Sequence, residues 1–348
     1  MRSEELTQSD PRNSQLATRN SNPMPSSLES DVFRWLQSRG LWTQTRDSNA
    51  NVVVGPGDDA AVLTRPAGDV VVSTDMLSDD VDFLLAEAKP ELVGRKALGV
   101  NLSDLAAMAA TPIGFTFSVA VDKNWSKPAY GNLSCLNYLK RLCEGMLTLA
   151  DEFNCPLVGG DTNCFSGPLT ISITVFGVIP HNSQGKKKYV PWTRNAAQPG
   201  DAVLLTGAVG GSIHGRQFTF TPRVNEALYL RQNYDVHAAM DISDGLSLDL
   251  FRMTTASNVG AELDLDAIPI HRDVKKTHDD KSPLAHALSD GEDFELILTA
   301  APKTAERILN DQTFKAFGTK ITKIGTIVNQ PGLWTKDGKE ISPDGWRH

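Results

Sequence analysis

Residues 90–110 read Pro90-Glu-Leu-Val-Gly-Arg-Lys-Ala-Leu-Gly-Val-Asn-Leu-Ser-Asp-Leu-Ala-Ala-Met-Ala-Ala110, and Thr111-Pro112 follows. The spacing predicts one long helix. Pro90 suits a first helical turn, and a residue before proline leaves the α region, so Thr111-Pro112 should stop it. Val93, Ala97, Val100, Asp104 and Met108 fall on one stripe, with Leu98, Leu102, Leu105 and Ala109 beside it. A helix so apolar is largely buried. Asp104 therefore faces inward, and a buried carboxylate must be paired, hydrogen-bonded or metal-bound. Arg95 and Lys96 are the nearest ion-pair partners in sequence but lie at other angles of the helical wheel.

Outward from this helix, strands and helices interleave. Upstream, a helix starts near Leu28, and β-type runs occur at Val52–Val54, Ala60–Leu63 and Val70–Ser73. Downstream come strand Ile113–Val121, helix Tyr130–Phe153, and strands Pro156–Val158 and Leu169–Ile179. The polar stretch His181–Lys188 marks a domain boundary or long surface loop. Beyond it lie strand Ala202–Thr206, a glycine turn and a helix, then strand Ala238–Met240, helix Leu246–Ser257 and strand Ala261–Leu265. Strand Phe294–Thr299, helix Lys303–Asn310 and strand Ile321–Val328 complete the pattern. This alternation predicts an α/β (α+β) fold. Residues 27–182 and 190–348 form its two domains, and residues 1–26, poor in large apolar side chains, are a disordered extension.

The chain has 348 residues, 40% hydrophobic and 22% charged, which excludes disordered and membrane-bundle classes. Lysine plus arginine number 34 against 42 acidic residues, a net charge of −8, which disfavours a nucleic-acid partner. Cys135, Cys143, Cys155 and Cys164 form no C-x-x-C pair and read as free thiols of a reducing compartment. The start Met1-Arg2-Ser3-Glu4-Glu5 has no secretion-signal pattern, and no apolar run would span a bilayer. A cytoplasmic location is expected.

Acidic residues gather at the ends of apolar strands, beside glycine or small hydroxyl residues. The cases are Gly57-Asp58-Asp59, Ser73-Thr74-Asp75, Gly159-Gly160-Asp161-Thr162, Asp241-Ile242-Ser243-Asp244-Gly245 and Gly291-Glu292-Asp293. Glycine lets backbone approach a bulky anion, and carboxylates supply hard oxygens, the parts of a site where Mg²⁺ bridges a polyphosphate. Taken singly, each also reads as an ordinary turn, and Ser243 or Asp244 as a helix N-cap. No Gly-x-x-x-x-Gly-Lys-Ser/Thr loop and no protein-kinase His-Arg-Asp set occurs. Gly207-Ala-Val-Gly210-Gly211 has the wrong spacing for a dinucleotide fingerprint.

Seven motifs in order resemble the thiamine-monophosphate kinase family of the aminoimidazole-ribonucleotide-synthetase-like superfamily, from about Leu28 to Trp346. They are Gly55-Pro-Gly-Asp-Asp-Ala-Ala-Val62, Ser73-Thr-Asp-Met76, Lys96-Ala-Leu-Gly-Val-Asn-Leu-Ser-Asp-Leu-Ala-Ala-Met108, Val158-Gly-Gly-Asp-Thr162, Met240-Asp-Ile-Ser-Asp-Gly-Leu246, Asp290-Gly-Glu-Asp-Phe-Glu-Leu296 and Gly345-Trp346. The resemblance implies an N-terminal sheet that forms a barrel across a homodimer and a C-terminal α/β domain over the nucleotide. It implies transfer of the γ-phosphoryl group of ATP to thiamine monophosphate, assisted by Mg²⁺, giving thiamine diphosphate. The attacking group is already anionic, so alignment and charge neutralisation suffice without a general base.

Position by position, the resemblance assigns Asp59, Ser73, Thr74, Asp75, Asp104, Asp161, Asp241 and Asp244 to metal sites, with Asp104 and Asp244 at the chemistry. Gly160, Asp161, Arg194 and Ser243 match ATP contacts, and Glu292 and Trp346 match substrate contacts. Asp82 stands at the substrate end of the Ser-Thr-Asp segment, where the family has histidine; there a carboxylate repels phosphate unless a metal intervenes. Cys143 takes a spot often held by an aromatic residue near the nucleotide. Selenophosphate synthetase needs a reactive cysteine near the start, but residues 1–55 have none, and the hydrogenase-maturation relative needs a terminal cysteine, but this chain ends Gly345-Trp-Arg-His348. The alternatives are a purine-pathway cyclo-ligase and a non-catalytic nucleotide or thiamine-phosphate sensor.

Overall fold

The computed structural model describes residues 27–39, 52–56, 60–64, 67–125, 133–181 and 189–346. The expected 1–26 extension, Asp59, the start of the Tyr130 helix and most of His181–Lys188 lie outside the described residues. The N-terminal half contains α1 (Leu28–Ser38), β1 (Val52–Val54), β2 (Val62–Leu63), β3 (Gly68–Ser78), α2 (Pro90–Ala107), β4 (Thr111–Asp122), α3 (Cys135–Glu152), β5 (Leu157–Phe165) and β6 (Thr170–Pro180). The C-terminal half contains β7 (Ala202–Thr206), α4 (Arg216–Thr219), α5 (Val224–Asn233), β8 (Ala238–Asp241), α6 (Leu246–Ala256) and β9 (Gly260–Leu263). It continues with α7 (Pro283–Ser289), β10 (Leu296–Ala300), α8 (Pro302–Leu309), α9 (Thr313–Ala316), β11 (Ile321–Val328) and β12 (Gly332–Thr335).

Four strands in the order β3-β6-β4-β5 make the N-terminal sheet, antiparallel except for the parallel β4–β5 pair. Six in the order β12-β9-β11-β7-β10-β8 make the C-terminal sheet, where only β12–β9 is parallel. Strands β7, β8 and β10 are buried along their whole length, which explains their largely apolar sequences. One hydrophobic core joins the N-terminal half to one face of this sheet, through Leu204, Leu296 and Leu298; a second, with Leu205, Met240 and Ile297, fills the other face under α6. The halves thus share a core along α2.

The Pro90 helix forms as expected but ends at Ala107, three residues early. Ala109 turns it with φ +53, and the amide of Ala110 donates back to Leu105 O (2.8 Å), closing the helix end before proline acts. Pro112 instead lies inside β4, beside a register shift. Helices α2 and α3 touch backbone to backbone. A Cβ on Gly94 would sit 1.9 Å from Leu142 O, and one on Gly145 would sit 1.9 Å from Glu91 O. That contact sets how deeply α2 sits in the N-terminal half. β5 extends through the Gly-Gly-Asp-Thr motif and β3 through Ser-Thr-Asp. These two motifs therefore lie within strands, not at their ends, because cross-strand pairing continues through them.

Candidate active site

Four polar residues interrupt the apolar surface of α2 and define the site. Asn101 Oδ1 accepts the amide of Asp75 (3.1 Å), tying β3 to the helix. Ser103 Oγ donates to Asp241 Oδ2 (2.7 Å), tying the helix to the end of β8. Asp104 accepts from the Ser73 hydroxyl. Lys96 reaches the C-terminal half through Gln217 and Glu292.

Asp104 of α2 is thereby brought within electrostatic reach of Asp75 on β3 and of Asp241 on β8, three elements drawn from both halves. Burial, then repulsion from Asp104 and Asp82, pushes Asp75 up to about 7. Burial, then Asp104, pushes Asp241 up to about 8. Burial also raises Asp104, opposed by the Ser73 hydrogen bond and the charge of Arg194. Arg194 acts on both Asp104 and Asp241, from a segment held by the Ser257 hydroxyl on its carbonyl (2.8 Å). Crowded carboxylates, half-buried at Asp75 and Asp104 and buried at Asp241, with Arg194 as the cation acting on the last two, fit a hard divalent cation such as Mg²⁺. Among the described residues no group of three or more His, Cys, Asp or Glu side chains is already placed to hold a metal ion.

The Asp241–Gly245 loop is held by a residue the sequence reading missed. Asp249, fully buried on α6, accepts the amides of Ser243 (3.1 Å), Asp244 (2.9 Å) and Gly245 (3.1 Å) on Oδ2. Neither Ser243 nor Asp244 caps α6; Gly245 occupies the cap with φ +131, and no side chain bonds there. An acidic residue in the first turn of a helix was the available signal. Arg252 pairs with both Asp244 and Asp249, the latter at 2.8 Å. The terminal segment docks on the same loop: Trp346 N donates to Asp244 O (2.8 Å), and a Cβ on Gly345 would sit 2.3 Å from that oxygen. The Trp346 side chain stays exposed beside the loop.

Glu292 arrives on the neighbouring turn, with φ +51, its amide donating to Ser243 O (2.7 Å). The rest of its motif is structural: Asp293 pairs with Arg216 and takes the Gly210 amide (3.0 Å), and Glu295 pairs with Arg223 (2.5 Å). Asp82 lies near Asp75 and Glu292, but its carboxylate accepts the Ser78 amide (2.7 Å) and so closes its own loop.

Four expected positions are not brought to this cluster. Thr74 points to the opposite sheet face, its hydroxyl donating to Ile173 O (3.0 Å) and accepting from Thr174 (3.0 Å). Strand alternation requires this, since Ser73 and Asp75 face α2. Asp161 is likewise on the far face, in a row with Ser118, Ser172 and the exposed Met76. It also stands three strand spacings, about 14 Å, from β3. Gly160 packs tightly under β4, where a Cβ would meet Phe117 O at 1.9 Å. Cys143 is fully buried in the core of α3 and presents no surface to a nucleotide.

Residues 57–179 match the N-terminal domain of AIR synthase related proteins, and residues 198–334 match the C-terminal domain. The fold and the convergence along α2 therefore define a member of that two-domain class. The chain is 40% identical over 314 residues to the thiamine-monophosphate kinase of Rhodopirellula baltica, covering 85% of this chain and 92% of that one. It therefore belongs to the thiamine-monophosphate kinase family. The crystal structure of the Stenotrophomonas maltophilia thiamine-monophosphate kinase superposes with a TM-score of 0.72 at 29% identity, covering 89% of this chain and 97% of that one. AaThiL complexed with AMPPCP and TMP shares the fold, with a TM-score of 0.67 at 24% identity over 94% of this chain and 100% of that one.

Proposed function

We propose that this chain transfers the γ-phosphoryl group of ATP to the phosphate of thiamine monophosphate, giving thiamine diphosphate and ADP in one in-line step. The observation that carries this reading is the placing of Asp104 between Asp75 of one half and Asp241 of the other, with Arg194 acting on Asp104 and Asp241. Family membership supports it. An anionic phosphate oxygen attacks, so the chain needs to align two phosphates and offset their charge, not remove a proton. Bound Mg²⁺ would supply most of that neutralisation, with Asp75, Asp104, Asp241 and Asp244 as its holders and Asp59 as a further candidate. Arg194 supplies a planar guanidinium for the triphosphate, Ser243 a hydroxyl on the nucleotide side, and Glu292 and Trp346 the contacts to the cationic heterocycle.

Asp161 fits this reading only in an assembly. Its side chain leaves the far face of edge strand β5, and Val70, Val72 and Met76 are exposed on that same face of edge strand β3. A homodimer built on this sheet would cover them and bring Gly160 and Asp161 to the partner's site. Among the described residues no helix is long and apolar enough to cross a membrane.

The test is ADP release in the presence of Mg²⁺, with and without thiamine monophosphate. Turnover that depends on it is expected. Stabilisation by an ATP analogue without any such turnover would leave the sensor reading in its place.

A further inference from the structure

Asp82 and Glu292, the one from the N-terminal half and the other from the C-terminal half, meet on a single ammonium group. Lys96 is 1% exposed, and its Nζ donates to Asp82 O (2.6 Å), to Gln217 Oε1 (2.6 Å) and to Glu292 Oε1. It also stands 5.3 Å from the centroid of the Phe218 ring. An ammonium has three N–H donors, and all three are used. Lys96 therefore has no donor left for a phosphate and acts through its partners. Glu292 Oε1 is taken by Lys96, while Oε2 has no hydrogen bond among the described residues on a side chain that is 32% exposed. One oxygen is pinned and the other is offered to the site.

We propose that Lys96 is a positioning residue for substrate recognition, fixing Glu292 so that its free oxygen meets the cationic heterocycle of thiamine monophosphate. The inference rests on the proposed function and deepens it. A carboxylate oxygen facing a cation is the complementary choice: the pair is neutral overall, but the buried ammonium lies behind Oε1 while Oε2 is the atom presented to the heterocycle. By holding Asp82 O as well, the same ammonium ties the Asp82 loop of the N-terminal half to the Glu292 turn of the C-terminal half. Without it, the half-buried Glu292 side chain loses its one hydrogen-bond partner among the described residues, and with it its orientation.

The experiment compares wild type, Lys96→Met, Glu292→Gln, their double variant and Gln217→Leu, with KM for each substrate and kcat measured separately. Lys96→Met should raise KM for thiamine monophosphate about tenfold or more, with KM for ATP and kcat within about twofold. Glu292→Gln should raise the same KM, and the double variant should cost no more than Lys96→Met alone, because the pair works as one unit. Gln217→Leu removes one acceptor from the ammonium and should raise that KM about threefold. It serves as the test if Lys96→Met fails to fold. Equal loss for both substrates, a fall in kcat alone, multiplied effects in the double variant, or an unchanged KM in Gln217→Leu would each overturn the role of Lys96. A wild type with no thiamine-monophosphate-dependent turnover would instead overturn the function, and this inference with it.

Discussion

Replacing Asp104 by asparagine separates what the site does from what the fold needs. The amide keeps an oxygen for the Ser73 hydroxyl, so the contact between α2 and β3 survives. What disappears is one negative charge among Asp75, Asp104 and Asp241. With an effective dielectric near 20, two like charges about 6 Å apart cost about 2–3 kcal/mol when both are ionised. Asp75 and Asp241 gain protons near pH 7 and 8, so this repulsion is strong at pH 8.5 and weak at pH 6. The lost attraction to Arg194 offsets part of the relief, leaving a net gain of about 1 kcal/mol at the higher pH. In EDTA at pH 8.5 the melting temperature should rise by about 1–2 °C, and the gain should shrink towards pH 6. Turnover with Mg²⁺·ATP should fall about a hundredfold or more, because the charge that is costly in the empty fold is the one the reaction uses. The assays are thermal melts across pH and coupled ADP release. A melt lowered by several degrees, or turnover reduced less than about tenfold, would refute the reasoning and make Asp104 a structural carboxylate.

Asp249→Ala strips one acceptor from three backbone amides and a partner from Arg252; urea unfolding should show a loss of about 3–5 kcal/mol, with turnover abolished. Gly94→Ala drives a methyl into Leu142 O and should cost about 2–3 kcal/mol by the same measurement, because two helix backbones must separate. His286 donates towards Asp290 (2.8 Å) and Asp279 (3.0 Å), and both carboxylates raise it above its ordinary 6.5 despite burial. Its raised folded value means the stabilisation is full below about pH 6.5 and fades as the pH climbs past that value. The melting-temperature gap between wild type and His286→Gln should therefore narrow from pH 6 to pH 8.5, and a constant gap would count against the pairing.

Periodicity and composition sufficed for the α2 helix, the continuous apolar strands β7 and β10, the two-part layout and the acidic motifs, because burial and backbone geometry act on near neighbours in the chain. Asp104 was legible for the same reason: a carboxylate in an apolar helix must find a partner. Other features depended on chain segments that are remote in sequence. Whether Thr74 or Asp75 faces the site follows from the pairing of β3 with β6, and a shift of one residue would exchange them. Asp161 stands on the far face because β5 pairs with β4 in a particular register. In the sequence Lys96 stands as a neighbour of Asp104 at another angle of the helical wheel; its role appears once folding brings Gln217 and Glu292, over 120 residues away, onto its ammonium. Asp249 became an anchor only because the loop before α6 curls back over its carboxylate. Hydrophobic patterning is a local property of the chain, whereas a charge acquires its role from the groups that the fold places around it.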